Sequence, residues 1–196
     1  DSAEALSFTR EAFGLSERFD VPFFIRSTVR ISHTKTLVET GERVAHEPAA
    51  YESNAAKWVM MPAFAKPRRK VQLARDAALR AFADECPFNR LELKGSKIGV
   101  ICTGAVYQHV VEALPEASVL KLGMSWPIPE SRINELSRFV DEVYVVEEAS
   151  TYLSDAVRAA GVALSEPPCE IPRDGELSPG IIRAAFGLTE PDHLPS

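Results

Sequence analysis

The stretch KIGVICTGAVYQHVVEALPEASVLKLGMSWPIPE, residues 97–130, decides how this chain folds. Ile98-Gly99-Val100-Ile101-Cys102 is a short unbroken apolar run, the pattern of a strand covered on both faces. Thr103-Gly104 turns the chain, Ala105 to Leu114 carries helical spacing, and Pro115 ends it. Ser118 to Leu122 reads as a second strand. Pro129 and Glu130 open a helix carrying Ile133, Leu136, Phe139 and Val140, and Val143-Tyr144-Val145-Val146 is a third strand. Strands of this kind alternating with helices predict an α/β domain of three layers around a mostly parallel sheet.

Toward the carboxyl end, Ser150 is the expected cap of a helix that stops at Gly161. Residues 162–176 predict a final short strand and a Pro-rich loop. Ser178-Pro179 starts the last helix with proline at its favoured first position, Gly187 ends it, and the tail from Thr189 reads as loose. Toward the amino end, Ala5, Phe8, Ala12, Phe13, Leu15 and Phe19 recur at helical steps. Asp1 and Glu4 are spaced to cap that helix, and Asp20 closes it. Val21-Pro22-Phe23-Phe24-Ile25 then predicts a buried strand. Residues 31–57 are polar and aperiodic. A helix is expected over 68–84, stopped by Cys86-Pro87-Phe88-Asn89. The opening residue is Asp1 within helix-like material, so a piece of a longer protein is expected.

Of 196 residues, 45% are hydrophobic and 26% charged, enough for a packed core. The net charge of −6 argues against a protein built to neutralise nucleic-acid phosphates. The one basic cluster, Lys66, Arg68, Arg69 and Lys70, reads first as a solvated face and second as a dock for an acidic partner or a phosphate. No apolar run approaches the ~18 residues of a membrane span, and no signal peptide opens the chain. Cys86, Cys102 and Cys169 are odd in number, far apart and without a CxxC pair. That disfavours a disulfide framework and a zinc or iron–sulfur site, and suits reduced thiols in the cytoplasm. No metal site is expected.

Four groups are candidates for function. Thr103-Gly104 ends a strand and opens a helix, where backbone N–H groups can take an anion such as a coenzyme A phosphate. It reads first as a tight strand-to-helix turn and only second as an anion site, since neither GxGxxG nor GxxxxGK[ST] is present. Glu147-Glu148 stands at the carboxyl end of a strand, the functional edge of a parallel sheet, and could meet a partner domain or a ligand. The same two carboxylates suit a helix start. Arg26, Thr28 and Arg30, with His33 just beyond, form a donor-rich loop able to hold a substrate carboxylate, or a polar loop packed between domains. Trp126, beside Pro127, is expected at a domain seam. His46 reads as a loop residue, His109 as a helix surface or interface residue, and His193 as part of the tail. No nucleophile–base arrangement can be argued from spacing, so the catalytic residues are unknown.

Five stretches carry a family likeness: EAFGLSERFDVPFFIRSTVRISHT (11–34), PFNRLE (87–92), residues 97–130 quoted above, VYVVEEASTYLSDAVRAAG (143–161) and GELSPGIIRAAFG (175–187). In order and spacing they resemble the alpha subunits of indolepyruvate–ferredoxin oxidoreductases, among the thiamine-diphosphate-dependent 2-oxoacid–ferredoxin oxidoreductases. The resemblance implies the end of a pyrimidine-binding domain at 1–50 and a helical linker at 51–96. It implies a transketolase C-terminal-like domain at 97–188 and a tail at 189–196. It further implies oxidative decarboxylation of an aryl pyruvate to an aryl-acetyl-CoA with reduction of ferredoxin. Thiamine diphosphate, magnesium and iron–sulfur clusters serve that reaction, with a beta subunit, in a cytoplasmic oligomer. In such enzymes the glutamate on the cofactor's pyrimidine ring lies before the part matched here. The magnesium domain and the cluster cysteines lie after it. This piece is therefore expected to be scaffold and interface, inactive alone. A non-catalytic interaction module and a small CoA- or nucleotide-binding domain are the alternatives.

Overall fold

A computed structural model describes residues 1–45 and 50–188. The chain divides into two compact units, Asp1–Leu79 and Arg80–Ser196. His46, His193 and the tail from Thr189 lie outside the described residues.

In the first unit, α1 (Ser2–Phe19) opens on a capping box. Asp1 accepts the N–H of Glu4 at 2.9 Å, and the Glu4 carboxylate reaches back to the Asp1 nitrogen. Asp20 ends the helix at φ 50°, the left-handed conformation that Asp tolerates better than most residues. The strand expected over Val21–Ile25 does not form. That segment is irregular, with Phe24 90% exposed. A strand exists by pairing its backbone groups, and the sheet consists of four other strands. Thr28 caps α2 (Val29–His33), and Asn54 caps α3 (Ala55–Trp58). The next helix, α4 (Pro62–Glu85), is longer than expected. Pro62 sits at its start, where no N–H is needed, and Pro67 falls in its second turn.

The second unit takes the end of α4 and then β1 (Arg90–Glu92), β2 (Ile98–Thr103), α5 (Val106–Ala113), β3 (Ser118–Leu122), α6 (Glu130–Phe139), β4 (Glu142–Val146), α7 (Tyr152–Ala159) and α8 (Pro179–Ala185). One sheet runs β1-β3-β2-β4. β2 is parallel to both β3 and β4, and β1 is antiparallel to β3. Three residues are too few to show a period, so β1 leaves no strand signal in the sequence. Alternate residues of β2 face two separate cores. Val100 and Cys102 pack with Val110 and Tyr107 of α5 and Ile182 of α8. Ile101 packs with Ile133 and Leu136 of α6 and Val157 of α7. The result is a sheet between two helical layers, as expected. Fully burying a side chain of this size contributes about 1.5–3 kcal/mol, so these two clusters account for most of the domain's cohesion. Gly99 leaves room for the end of α6, since an added Cβ would stand 2.7 Å from Val140 Cγ2 at the helix C-cap and 3.1 Å from Leu136 Cδ1.

Two local expectations are corrected. Ser150 does not cap α7, whose N-cap is Thr151 without a side-chain bond; a glutamate performs that task instead. Residues 162–176 form no strand. Ser165 N–H donates to Val143 O at 2.8 Å along the outer edge of β4. Pro167, Pro168 and Pro172 then remove the donors a ladder would need.

Candidate functional site

The carboxyl ends of β2 and β4 lie side by side, because Cys102 of β2 pairs with Val146 of β4. The connection from β2 leads to β3 on one side, and the connection from β3 crosses back to β4 on the other. The gap between β2 and β4 is thus the point where the winding reverses, the place where open α/β sheets bind ligands. Two pairs singled out in the sequence, Thr103-Gly104 and Glu147-Glu148, meet at this gap.

Each has a structural task there. Thr103 donates its hydroxyl to Leu122 O at 2.9 Å, tying β2 to the end of β3. Gly104 turns at φ +62°, and an added Cβ would meet nothing within 4 Å, so the glycine serves the backbone and not a close contact. No side chain caps the start of α5. The buried Glu147 accepts the N–H groups of Leu153 (2.7 Å) and Ser154 (3.1 Å) and the Ser154 hydroxyl. It therefore satisfies the open donors at the start of α7. Glu148 accepts the N–H of Leu177 at 2.9 Å, anchoring the segment that leads into α8. Ala149, between Glu148 and the α7 turn, is held at φ 64°, a strained value for a residue with a Cβ.

The β3–α6 loop completes this edge. Asn89 is buried, donates to Ala83 O at 3.0 Å and accepts the Met124 N–H at 2.9 Å. Trp126 is 62% exposed, precedes a cis Pro127, and lies under the Arg80 guanidinium at 5.9 Å. Tyr152 donates its hydroxyl to Ser125 O at 3.1 Å. On the other flank of Glu147, beside β4, is a cavity of about 370 Å³ lined by Ser154, Arg158, Glu166, Glu170 and Arg173 among others. Arg158 is paired there with Glu166 at 2.9 Å.

Arg26, Thr28, Arg30 and His33 belong to the first unit and are exposed. Thr28 is occupied as the cap of α2, accepting Ile31 N–H at 3.4 Å, and the Arg30 carbonyl accepts the Thr34 hydroxyl at 2.6 Å.

Sequence reading overlooked one buried polar group. Lys121 is 3% exposed inside β3, its Nζ 4.7 Å from the centre of the Tyr107 ring. Tyr107 donates to Glu92 at 2.8 Å, and burial together with that bond pushes its hydroxyl pKa up. Beside it, burial pushes the Cys102 thiol up to about 12, against the pull of Lys121. A lysine in the middle of the run Ser118–Leu122 was the available signal. The group binds β1, β3 and α5 together; its thiol and phenol stay protonated at neutral pH, so neither is an activated nucleophile.

An open, mostly parallel sheet with helices on both faces and a winding reversal at its centre defines a doubly wound α/β domain. No family profile matches the chain. Individual proteins do. An indolepyruvate oxidoreductase subunit IorA from Methanothermobacter marburgensis is 34% identical over 171 residues, 83% of this chain and 27% of that protein. The subunit of the same name from Methanothermobacter thermautotrophicus is 33% identical over 205 residues, 96% of this chain and 33% of that protein. One from Archaeoglobus fulgidus is 30% identical over 82% of this chain. The chain belongs to the family of these IorA subunits and spans about a third or less of the length of the relatives it matches.

Proposed function

We propose that this chain is a portion of an oxidoreductase of the indolepyruvate type, providing scaffold and subunit contact without turning over alone. The carrying observation is the 34% identity over 171 residues to an indolepyruvate oxidoreductase subunit. The tied-down sheet edge supports the scaffold role, because Thr103, Glu147 and Glu148 all serve local packing. In this reading residues 1–50 close a pyrimidine-binding domain, 51–96 link, and 97–188 form a transketolase C-terminal-like domain. The whole enzyme, a cytoplasmic oligomer with a beta subunit, converts indolepyruvate or a related aryl pyruvate and coenzyme A to the aryl-acetyl-CoA and carbon dioxide. The electrons released pass to ferredoxin. Thiamine diphosphate with magnesium supplies carbanion stabilisation, and iron–sulfur clusters carry electrons singly.

The donors described in this chain do not assemble a metal or cluster site. Among the described residues no three His, Cys, Asp or Glu converge on a metal position. Cys86 and Cys102 are buried thiols, and Cys169 stands apart. No step of the reaction is therefore assigned to them. Arg26, Thr28, Arg30 and His33 remain proposed neighbours of the substrate or cofactor. Glu147, Glu148 and Trp126 remain proposed interface residues.

Calorimetric titration of the 196-residue chain with thiamine diphosphate and magnesium is expected to give no binding tighter than about 1 mM. Micromolar binding, or decarboxylation of a 2-oxoacid by this chain alone, would overturn the proposal. A second reading, a CoA- or nucleotide-binding domain, is favoured by one observation: the Gly104 turn opens a helix at the winding reversal.

A further inference from the structure

We infer that Lys57, Arg68 and Arg75 form a binding site for the doubly charged phosphate group of a small molecule, and that Asp20 occupies the phosphate's place in its absence. Asp20 Oδ1 accepts Lys57 Nζ at 2.6 Å. Its Oδ2 accepts Arg75 Nη2 at 2.9 Å and stands 3.7 Å from Arg68 Nη2. One carboxylate thus faces three cations, leaving a local surplus of two positive charges. A phosphate monoester carries nearly that charge at neutral pH. Each guanidinium offers five N–H groups. Among the described residues, Asp20 is the acidic group that both arginines and Lys57 engage.

The cations are positioned before a ligand arrives. Arg68 and Arg75 are two turns apart on one face of α4, and Lys57 comes from α3. Their side chains are only 27%, 18% and 30% exposed, so they act in a partly dehydrated setting where attraction to an anion is stronger than in bulk water. Three like charges held this close repel unless an anion sits among them. The cluster answers to charge rather than to shape, so an oxyanion of two charges is the matching ligand class. Lys57 Nζ also lies 4.6 Å from the centre of the exposed Trp58 ring, which makes that indole a reporter of any change at Lys57.

The test uses the 196-residue chain with Trp126→Phe, so that Trp58 is its one tryptophan and can be excited selectively over the tyrosines, and titrates inorganic phosphate at low ionic strength. A saturable change in Trp58 emission and one-to-one binding by calorimetry are expected. Arg68→Gln and Arg75→Gln should each weaken binding about tenfold, the effect of one lost charge-assisted hydrogen bond. Asp20→Asn should tighten binding by a similar factor, because it removes the competing carboxylate while asparagine keeps the left-handed helix end. Sodium chloride at equal ionic strength producing the same signal, or Asp20→Asn failing to tighten binding, would overturn the inference. Should Asp20→Asn lose helix content by circular dichroism, Arg68→Gln decides, since its link to Asp20 is the longest; undiminished phosphate affinity there overturns the site. Adenosine 3′,5′-bisphosphate separates two sources of the phosphate. Tighter binding than inorganic phosphate with quenching of Trp58 supports a nucleotide, and equal binding supports recognition of the phosphate alone.

Discussion

Glu147 and Ser154 are joined twice: one carboxylate oxygen of Glu147 accepts both the backbone N–H, at 3.1 Å, and the hydroxyl of Ser154. The other oxygen takes the Leu153 N–H at 2.7 Å. A carboxylate placed to look like the functional edge of a sheet is spent on the start of a helix.

Glu147→Ala should therefore destabilise the domain by about 2–3 kcal/mol, because two buried N–H groups and a hydroxyl lose their acceptor. Glu147→Gln, which keeps one acceptor oxygen, should cost less. Urea unfolding followed by circular dichroism measures both. Unchanged midpoints would free Glu147 for a role outside the fold.

Gly104 stands at φ +62° with open space around it. Gly104→Ala is expected to cost about 1–2 kcal/mol through backbone strain alone, with no steric contribution. Gly104→Trp should abolish coenzyme A binding if the turn holds that ligand. Calorimetry showing an unchanged affinity would reject the turn as the site.

The three thiols differ by burial. Cys169 is exposed, whereas burial pushes the Cys86 thiol up and the Cys102 thiol up to about 12. At pH 8 an aromatic disulfide reagent should label one cysteine quickly and the other two only after denaturant is added. Rapid labelling of all three in the native protein would contradict the two-layer core around Cys102.

The hydrogen bond from Lys57, helped by the charges of Lys57, Arg75 and Arg68, holds the Asp20 carboxyl below its ordinary 3.8, against a smaller opposing effect of burial. A depressed folded pKa stabilises the fold when the group is ionised. That contribution is complete above 3.8 and is lost as pH falls through the lower folded value. Acid titration of thermal stability should show this loss in the parent protein and a shallower one in Asp20→Asn. Since Asp20 is 43% exposed, the difference should also shrink in high salt.

Several elements were legible because local chemistry dictates them. The Asp1–Glu4 capping box, Ser178-Pro179 at a helix start and the apolar runs of β2, β3 and β4 all stand where the residues place them. The Val21–Ile25 run misled because apolar character says that a strand is possible, while only a neighbouring strand makes one. Ser150 misled for a related reason. Its side chain is of the right type, but the carboxylate of Glu147, further back in the chain, arrives first at the open N–H groups of α7. Of the sites, the meeting of Thr103-Gly104 with Glu147-Glu148 could not be read, since it depends on β4 pairing with β2 rather than with β3.

By itself the sequence determined the α/β alternation, the covered faces of the sheet and the kinship with IorA subunits, all of which rest on residue type and spacing along the chain. Tertiary structure alone decided the strand order, the addition of β1, the capping of α7 by Glu147 and the gathering of Lys57, Arg68 and Arg75 around Asp20. Those relationships join residues that are distant in sequence, and their energies depend on distance and burial in space, which no local pattern encodes.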